Sequence, residues 1–260
     1  MQQKYAIIRV ENGCGRQIED VVVNEYKLDI NINDKSFARL LCSPHDLEYL
    51  CLGYLFGENK ISSFADVSSI NIDFTSGKAN VYLHTMKQVV NDEPTYITTG
   101  LGPQKSITAT GLTEGKTPLT QGLSLNAEKI DFLAEKFQEH STLFSETGGV
   151  HSCALSDGKQ IIAFFEDIGR HNALDKIVGY ALKHQLTLTD YLLITSGRIP
   201  GYMAYKCYHA KLPIIISRSA VTSTAIDFAQ ATGLTLIGFA RNSRFNIYSG
   251  EERIIWKKFY

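Results

Sequence analysis

The sequence predicts an α/β protein, in which strands and helices alternate through the second half of the chain. The first observation is the order of segments: apolar runs at residues 191–195, 213–217 and 234–239 are separated by helical patterns. The second is the uninterrupted apolar centre of the run at 213–217, which is typical of a strand buried on both faces. The third is an amphipathic helix with one apolar stripe, formed by Leu174, Ile177, Val178, Ala181 and Leu182. Such repetition predicts right-handed crossovers and a largely parallel sheet with helices on its faces.

The first part of the chain predicts a smaller α+β unit. Apolar runs between residues 5 and 41 are strand candidates. Ser43 and Pro44 are typical of a helix start, with Ser as the N-cap and Pro at the first helical position. Gly57 is predicted to end that helix, and a hairpin follows at 69–84. These segments together predict strands with one packed helix.

Periodicity is lost from residue 85 to about 124, where Pro and Gly residues punctuate the chain. Segments of this length without regular structure are usually functional loops or linkers, and both alternatives stay open. A helix with one apolar face is predicted next, at 126–137. We therefore divide the chain into residues 1–123, an N-terminal α+β domain that includes the central loop, and residues 124–260, an α/β domain.

The α/β domain is predicted to begin with a hairpin of strands at 150–155 and 160–165. An acid–Gly–Arg–His segment at 166–171 follows, and Asn172 is a candidate N-cap for the next helix. Later helices are predicted at 202–211 and at 223–232, and an edge strand at 245–248. The segment at 166–171 thus lies where a strand ends and a helix begins, a usual place for ligand binding in open α/β sheets.

Arginines are concentrated after the predicted strands. Five of the chain's nine arginines lie in these loops: Arg170, Arg198, Arg218, Arg241 and Arg244. Since loops after parallel strands meet at one edge of the sheet, we expect these side chains to come together. Arginine offers a planar fork of donors to phosphate or carboxylate, and free N–H groups at helix starts add to it. The pattern predicts an anionic ligand that carries phosphate or pyrophosphate.

Local pairing is the alternative explanation for several of these residues. Arg170 could pair with the neighbouring Glu166 or Asp167. His171 could pair with Asp175 one helical turn further on, instead of binding a ligand or transferring a proton.

Composition excludes several classes of function. The chain has 26 Lys and Arg residues against 27 Asp and Glu residues, a formal net charge of −1, which argues against a nucleic-acid binder that works through overall charge. The N-terminus lacks the apolar segment of a secretion signal, and no apolar run is long enough to span a membrane. We expect a cytoplasmic protein with neither nucleic acid nor membrane as a partner.

The cysteines favour neither a metal site nor a redox pair. They are five in number and lack CxxC spacing: Cys14, Cys42, Cys51, Cys153 and Cys207. We expect reduced, mostly buried thiols and no intrinsic metal. Cys153 and His151 share a strand face, so a nucleophilic thiol is an alternative to a buried one there.

Several longer motifs carry a family resemblance. They are SPHDLEYL at 43–50, TGGVH at 147–151, EDIGRHNALDK at 166–176, TSGR at 195–198 and GFARNSRFNIYS at 238–249. By these motifs, which follow one another over nearly the whole chain, the sequence resembles the FdhD family of formate dehydrogenase accessory proteins.

The resemblance implies a cytidine-deaminase-like, three-layer α/β domain with a smaller N-terminal α+β domain, usually in a homodimer. It implies that sulfur is carried from a cysteine desulfurase to the molybdenum bis(molybdopterin guanine dinucleotide) cofactor before that cofactor enters formate dehydrogenase. GDP is an analogue of the nucleotide part of this ligand. The family's cofactor-binding segment corresponds to Phe239, Ala240, Arg241, Asn242, Ser243 and Arg244. We expect Arg170, His171, Arg198 and Arg218 to contribute to the same site.

The sequence departs from the family in the central loop. The family motif TTGCGxCG is replaced by TTGLGPQK at 98–105, with Leu101 and Gln104 at the two cysteine positions. Neither side chain can carry sulfane sulfur, so no catalytic residue is predicted there. One alternative is sulfur transfer through another thiol, and Cys153 is the candidate nearest in sequence to the histidine-containing segment at 166–171. The other is a non-catalytic chaperone that binds the cofactor.

A zinc-dependent nucleoside deaminase is a third hypothesis, suggested only by the implied fold. That chemistry needs a His-x-Glu motif and a Pro-Cys-x-x-Cys motif around zinc. The sequence contains neither motif.

Overall fold

The structure, a computed structural model, describes residues 2–85, 95–97, 116–120 and 122–257. Its strands are β1 Gln2–Glu11, β2 Cys14–Val23, β3 Tyr26–Ile32, β4 Lys35–Cys42, β5 Val67–Asp73, β6 Lys78–Leu83, β7 Thr95–Ile97, β8 Leu125–Asn126, β9 His151–Ser156, β10 Ile161–Asp167, β11 Leu192–Thr195, β12 Ile214–Ser217, β13 Thr235–Arg241, β14 Arg244–Ser249 and β15 Ile254–Ile255. Its α-helices are α1 Leu47–Gly57, α2 Ala127–His140, α3 Thr142–Thr147, α4 Arg170–Lys183, α5 Gly201–His209 and α6 Ser223–Thr232. Most of the central stretch at 85–124, with Leu101 and Gln104, lies outside the described residues.

The α/β class is confirmed, but the predicted largely parallel sheet is wrong. The main sheet has six strands in the order β10-β9-β11-β12-β13-β14. Only the pairs β11–β12 and β12–β13 are parallel. The hairpins β9–β10 and β13–β14 are antiparallel because each is closed by a short turn, and β9 also pairs antiparallel with β11. The predicted edge strand after residue 244 does lie at the edge of this sheet, as β14.

The six-stranded sheet is packed between helices on both faces. On one face α2 contributes Ile130, Leu133, Ala134 and Phe137, the stripe predicted from the sequence, and these meet Leu192 and Ile194 of β11. On the opposite face Leu193 packs with side chains of α4, α5 and α6. Alternate residues of one strand thus enter two separate cores, as the two-residue period of a strand requires. The layers explain why β11 and β12 are apolar throughout.

The N-terminal part has its own sheet and core. Five strands pair in the order β5-β6-β3-β4-β7, and α1 packs against them. Helix α1 also crosses α4 so closely that a Cβ atom at Gly53 would lie 1.8 Å from the carbonyl oxygen of Asp175. Glycine is needed at this crossing because the backbones touch there. The division at residue 123, like the likeness to cytidine deaminases, stays a prediction.

Two predicted helix starts are wrong, for the same physical reason. Helix α1 begins at Leu47, and Ser43 instead donates its backbone N–H to the Asp167 carboxylate (3.1 Å) and accepts a bond from the Ile168 N–H. Asn172 lies inside α4, whose N-cap is Gly169. Its side-chain amide donates to both Asp167 and the Leu41 carbonyl, at 2.8 Å each. Contacts between the two units therefore override the local capping preference.

The first two strands form a separate ribbon that the sequence pattern did not predict as a hairpin. Strands β1 and β2 pair only with each other in the described part of the chain. Ile8 and Val10 on this ribbon are 74% and 64% exposed. Among the described residues, no helix has the length and apolar character needed to cross a membrane.

Candidate functional site

The predicted arginine loops meet at one edge of the six-stranded sheet, which we call the carboxyl edge. Strands β10 and β11 are both antiparallel to β9 and therefore point the same way, as do β12 and β13. Backbone hydrogen bonds tie the loops together: Arg218 N–H donates to the Thr195 carbonyl and Phe239 N–H to the Ser219 carbonyl, at 3.0 Å each. The cationic residues at this edge lie in two groups.

The first group, the histidine cluster, consists of His151, Arg170, His171 and Arg198. It surrounds Gly197, where a Cβ atom would lie 3.2 Å from the Arg170 Cβ and 3.4 Å from the His151 Nδ1. Burial, together with the nearby Arg198, lowers the pKa of the Arg170 guanidinium. Burial and the same two arginines lower the pKa of His151. The cluster is thus a partly desolvated group of side chains whose two arginines disfavour further positive charge.

His171 is the buried member of this cluster, with 9% of its surface exposed. Burial, followed by the charges of Lys206 and Arg170, lowers its pKa to about 3, so the imidazole is neutral near pH 7. Its Nδ1 and the Nε of Arg170 are buried and have no hydrogen-bond partner among the described residues. The predicted alternative, a pair between His171 and Asp175, is wrong, because Asp175 binds the Lys206 ammonium at 2.6 and 2.7 Å.

The acids next to Arg170 are used elsewhere, so the predicted local pairing of that arginine is also wrong. Glu166 accepts the backbone N–H groups of Leu143 and Phe144 at the start of α3, at 3.0 and 3.1 Å. Asp167 forms an ion pair with Lys176 at 2.7 Å, and both side chains are fully buried. Asp167 also accepts the Gly169 N–H at 3.0 Å, at the entry to α4.

The second group, the arginine-turn cluster, consists of Arg218, Arg241, Asn242, Ser243 and Arg244. Asn242 and Ser243 form the two-residue turn of the β13–β14 hairpin, both with φ of 54°. Two positive φ values are typical of a type I′ turn. The turn places Arg241 directly opposite Arg244, and both are exposed. Like charges directly opposite in a hairpin are destabilising unless a counter-charge lies between them.

A cavity of about 560 Å³ separates this turn from α2. Arg218, Arg241, Asn242 and Ser243 line one side, together with Ala240. The Arg218 guanidinium donates a hydrogen bond to the Gln138 side chain of α2. Burial, and then the charge of Arg241, lowers the pKa of Arg218. This size is within the usual range for small-molecule sites, about 300–1,000 Å³.

Phe239 and Ala240 shape the loop and offer no polar side chain to a ligand. Phe239 has φ of 56°, a left-handed conformation that is strained for a bulky residue. Its N–H bond to Ser219 holds that conformation. Ala240 is fully buried in the core beneath α2. Strain of this kind is common where a loop is fixed for binding.

The arginines of the carboxyl edge differ from the others in that they form no ion pairs with described residues. The four arginines elsewhere each pair with a carboxylate: Arg9 with Asp20, Arg16 with Glu11, Arg39 with Asp29 and Arg253 with Glu252. None of the five at the edge lies within 4.0 Å of a carboxylate in the described parts of the chain. Because unpaired guanidinium groups at one edge repel each other, the arrangement favours an anionic ligand.

Cys153 does not provide a reactive thiol at this edge. It is fully buried, and its sulfur lies 3.5 Å from the Thr195 hydroxyl. Burial raises its pKa to about 12, so almost no thiolate exists near pH 7. Among the described residues, no group of three or more His, Cys, Asp or Glu side chains is close enough to hold a metal ion.

Sequence reasoning missed the polar side of α2 as part of the site. Asp131, Glu135, Gln138 and Glu139 line the cavity, whereas the apolar stripe of the helix was the only feature used to predict it. Asp131, Glu135 and Glu139 follow one another at intervals of four residues, a signal that could have indicated a polar face.

Comparison with known proteins relates this chain to one family. Residues 23–255 match the sequence profile described as the FdhD/NarQ family. A protein of Listeria innocua named sulfur carrier protein FdhD is 37% identical over 250 residues, which cover 95% of this chain and 96% of that protein. A protein of Geobacillus kaustophilus with the same name is 33% identical over 253 residues, covering 96% and 95%. A crystal structure of a candidate formate dehydrogenase accessory protein from Desulfotalea psychrophila superimposes with a TM-score of 0.82 at 27% identity, covering 98% and 99%.

Proposed function

Because the chain belongs to the FdhD/NarQ family, we propose that it is a formate dehydrogenase accessory protein that binds the molybdenum bis(molybdopterin guanine dinucleotide) cofactor as its cargo. The ligand binds at the carboxyl edge, in the cytoplasm, and formate dehydrogenase is the partner that receives it. Relatives named as sulfur carriers and a neighbour described as a formate dehydrogenase accessory protein support this role.

The observation that carries the proposal is the absence of carboxylate partners for the five edge arginines among the described residues. A dinucleotide cofactor has pyrophosphate groups, and guanidinium forks bind phosphate oxygens in a bidentate manner. The facing Arg241 and Arg244 gain the counter-charge that their hairpin lacks. The residues present therefore fit a phosphate-bearing ligand.

The two clusters have different chemical roles in this proposal. The arginine-turn cluster binds phosphate, because Arg218 and Arg241 border a cavity of sufficient size and Arg244 lies opposite Arg241 in the hairpin. The histidine cluster contributes Arg170 and the N–H groups at the start of α4, together with neutral His171. His171 binds and orients the ligand as a hydrogen-bonding group, because a pKa of about 3 leaves the imidazole neutral near pH 7, with one ring nitrogen that donates a hydrogen bond and one that accepts.

A cofactor chaperone without sulfur transfer is the form of this function that the residues support best. Leu101 and Gln104 stand at the family's cysteine positions, outside the described residues. The candidate substitute Cys153 is buried, with its pKa raised to about 12. A cysteine desulfurase is then not a required partner. A persulfide-trapping assay with this enzyme as donor checks the point, and a labelled adduct lost in Cys153→Ala would establish sulfur transfer instead.

We expect a homodimer, which light scattering would detect.

The test is a calorimetric titration of GDP into the wild type and into Arg244→Ala at fixed salt. Arg16→Ala is the matched control, since Arg16 is also exposed but is ion-paired on the ribbon. We expect GDP to bind the wild type and Arg16→Ala equally, and to bind Arg244→Ala at least about tenfold more weakly, as loss of a charge-assisted hydrogen bond predicts. Failure of the wild type to bind GDP would overturn the proposal.

A further inference from the structure

The cavity beside α2 has two walls of opposite charge, which a hydrogen bond from Arg218 to Gln138 connects but no ion pair joins in the described part of the chain. Asp131, Glu135 and Glu139 line it from α2, and Arg218 and Arg241 line it from the carboxyl edge. Within the described residues, no carboxylate of α2 lies within 4.0 Å of either arginine. Glu139 is paired with Lys136 on its own helix, at 2.8 Å. Walls of opposite charge without an ion pair between them fit a ligand that carries an anionic group at one end and donors at the other.

Asp131 presents an unsatisfied acceptor on the acidic wall. Its Oδ1 is buried and receives no hydrogen bond from any described residue. Burial, and then the charge of Glu135, raises the pKa of this carboxyl. Buried acceptors without a donor are uncommon in folded proteins, because their desolvation is not compensated. The expected donor is therefore a group on the ligand.

We infer that the Asp131 carboxylate recognises the base of the bound nucleotide and selects guanine over adenine. The inference rests on the proposed function, because it concerns the base of the same phosphate-bearing ligand. Guanine has two neighbouring donors, N1–H and the N2 amino group, and a carboxylate can accept from both at once. Adenine has an acceptor at N1, which faces a carboxylate unfavourably.

The geometry of the cavity sets the direction of binding. The phosphates lie against Arg218 and Arg241, and the base extends toward α2, where Asp131 is half-buried. The volume of about 560 Å³ accommodates one nucleoside diphosphate. Discrimination by a buried hydrogen-bonding group is strong, since the wrong base leaves that group unpaired.

The experiment is a set of calorimetric titrations with GDP, ADP, inosine diphosphate and xanthosine diphosphate. The wild type should bind GDP at least about tenfold more tightly than inosine diphosphate, which lacks the 2-amino donor. The difference in affinity between GDP and ADP should be larger than that. In Asp131→Asn, GDP binding should fall about ten- to a hundredfold. Xanthosine diphosphate binding should rise in this variant, because xanthine has a carbonyl in place of the amino group and the Asn amide can donate to it.

Glu128→Gln is the matched control. It removes one negative charge from the same helix, but Glu128 lies outside the cavity and its side chain is 87% exposed. This variant should bind all four nucleotides as the wild type does. Its behaviour separates recognition by Asp131 from a general change in charge.

The outcomes distinguish this inference from the proposed function. If Asp131→Asn binds GDP as tightly as Glu128→Gln does, the inference is wrong and cofactor binding stands. Equal binding of GDP, ADP and inosine diphosphate by the wild type would also overturn the inference, without any variant. If the wild type binds no nucleotide, the proposed function and the base assignment both fail.

Discussion

The buried pair of Asp167 and Lys176 connects the stability of the fold to the histidine cluster. The two side chains lie 2.7 Å apart and are both fully buried. Asp167 also accepts hydrogen bonds from Gly169 and Asn172 at the start of α4, and from the Ser43 backbone. We predict that Lys176→Met strongly destabilises the protein, because it leaves a buried carboxylate without its counter-charge.

Removal of one partner of a buried ion pair typically costs about 3–5 kcal/mol. We expect about 3 kcal/mol here, since three N–H donors still bind the carboxylate. At about 2–4 °C per kcal/mol for a chain of this size, the midpoint of thermal unfolding should fall by roughly 6–12 °C. Calorimetry at pH 7 measures both the midpoint and the enthalpy.

Lys183→Met is the matched control, because Lys183 binds Glu48 at 2.6 Å with both side chains more than a third exposed. It should cost less than about 1 kcal/mol. The double variant Asp167→Asn/Lys176→Met should recover much of the loss, because no buried charge remains. If Lys176→Met and Lys183→Met shift the midpoint equally, the reasoning about the buried pair is refuted.

Two further predictions concern His171 and the thiols. The pKa of His171 is about 3 in the folded protein and 6.5 in the unfolded chain. Because the unfolded chain therefore binds a proton that the folded protein does not, the wild type loses stability as the pH falls below about 6.5. His171→Gln should lower that slope by up to about 1.4 kcal/mol per pH unit between pH 6 and 4 in urea unfolding, and an unchanged slope would contradict the neutral imidazole. In the native protein, Ellman's reagent should modify Cys14 rapidly and the four buried cysteines only on unfolding. If a second thiol of the native wild type reacts rapidly and this reaction is lost in Cys153→Ala, the burial of Cys153 is contradicted.

The elements predicted best from the sequence are those whose boundaries are determined locally. Helix α6 begins at Ser223 and ends before Gly233, as predicted, because Thr222 caps it and Gly233 adopts φ of 66°. The start of α1 was misplaced because Ser43 bonds to Asp167, a residue more than a hundred positions away. The capping preference of a residue contains no information about a hydrogen-bond partner so distant in the sequence.

The same contrast holds at the site. The order of strands was enough to predict that the arginine loops share one edge. Which of these side chains stay unpaired was not predictable, because it depends on the groups that the nearby acids bind. Glu166 was a reasonable partner for Arg170 by sequence, but it caps α3. Asp175 was a reasonable partner for His171, but a lysine one helix away binds it.

The cofactor content of the protein tests the central claim most directly. The wild type and the double variant Arg241→Ala/Arg244→Ala would be purified without oxygen from cells that make the cofactor. Bound molybdenum, pterin and guanine would be measured per chain, with Arg16→Ala as the control. We predict that the wild type and Arg16→Ala carry all three, and that the double variant carries almost none. A wild type without pterin or guanine, from cells that contain the cofactor, would contradict the account.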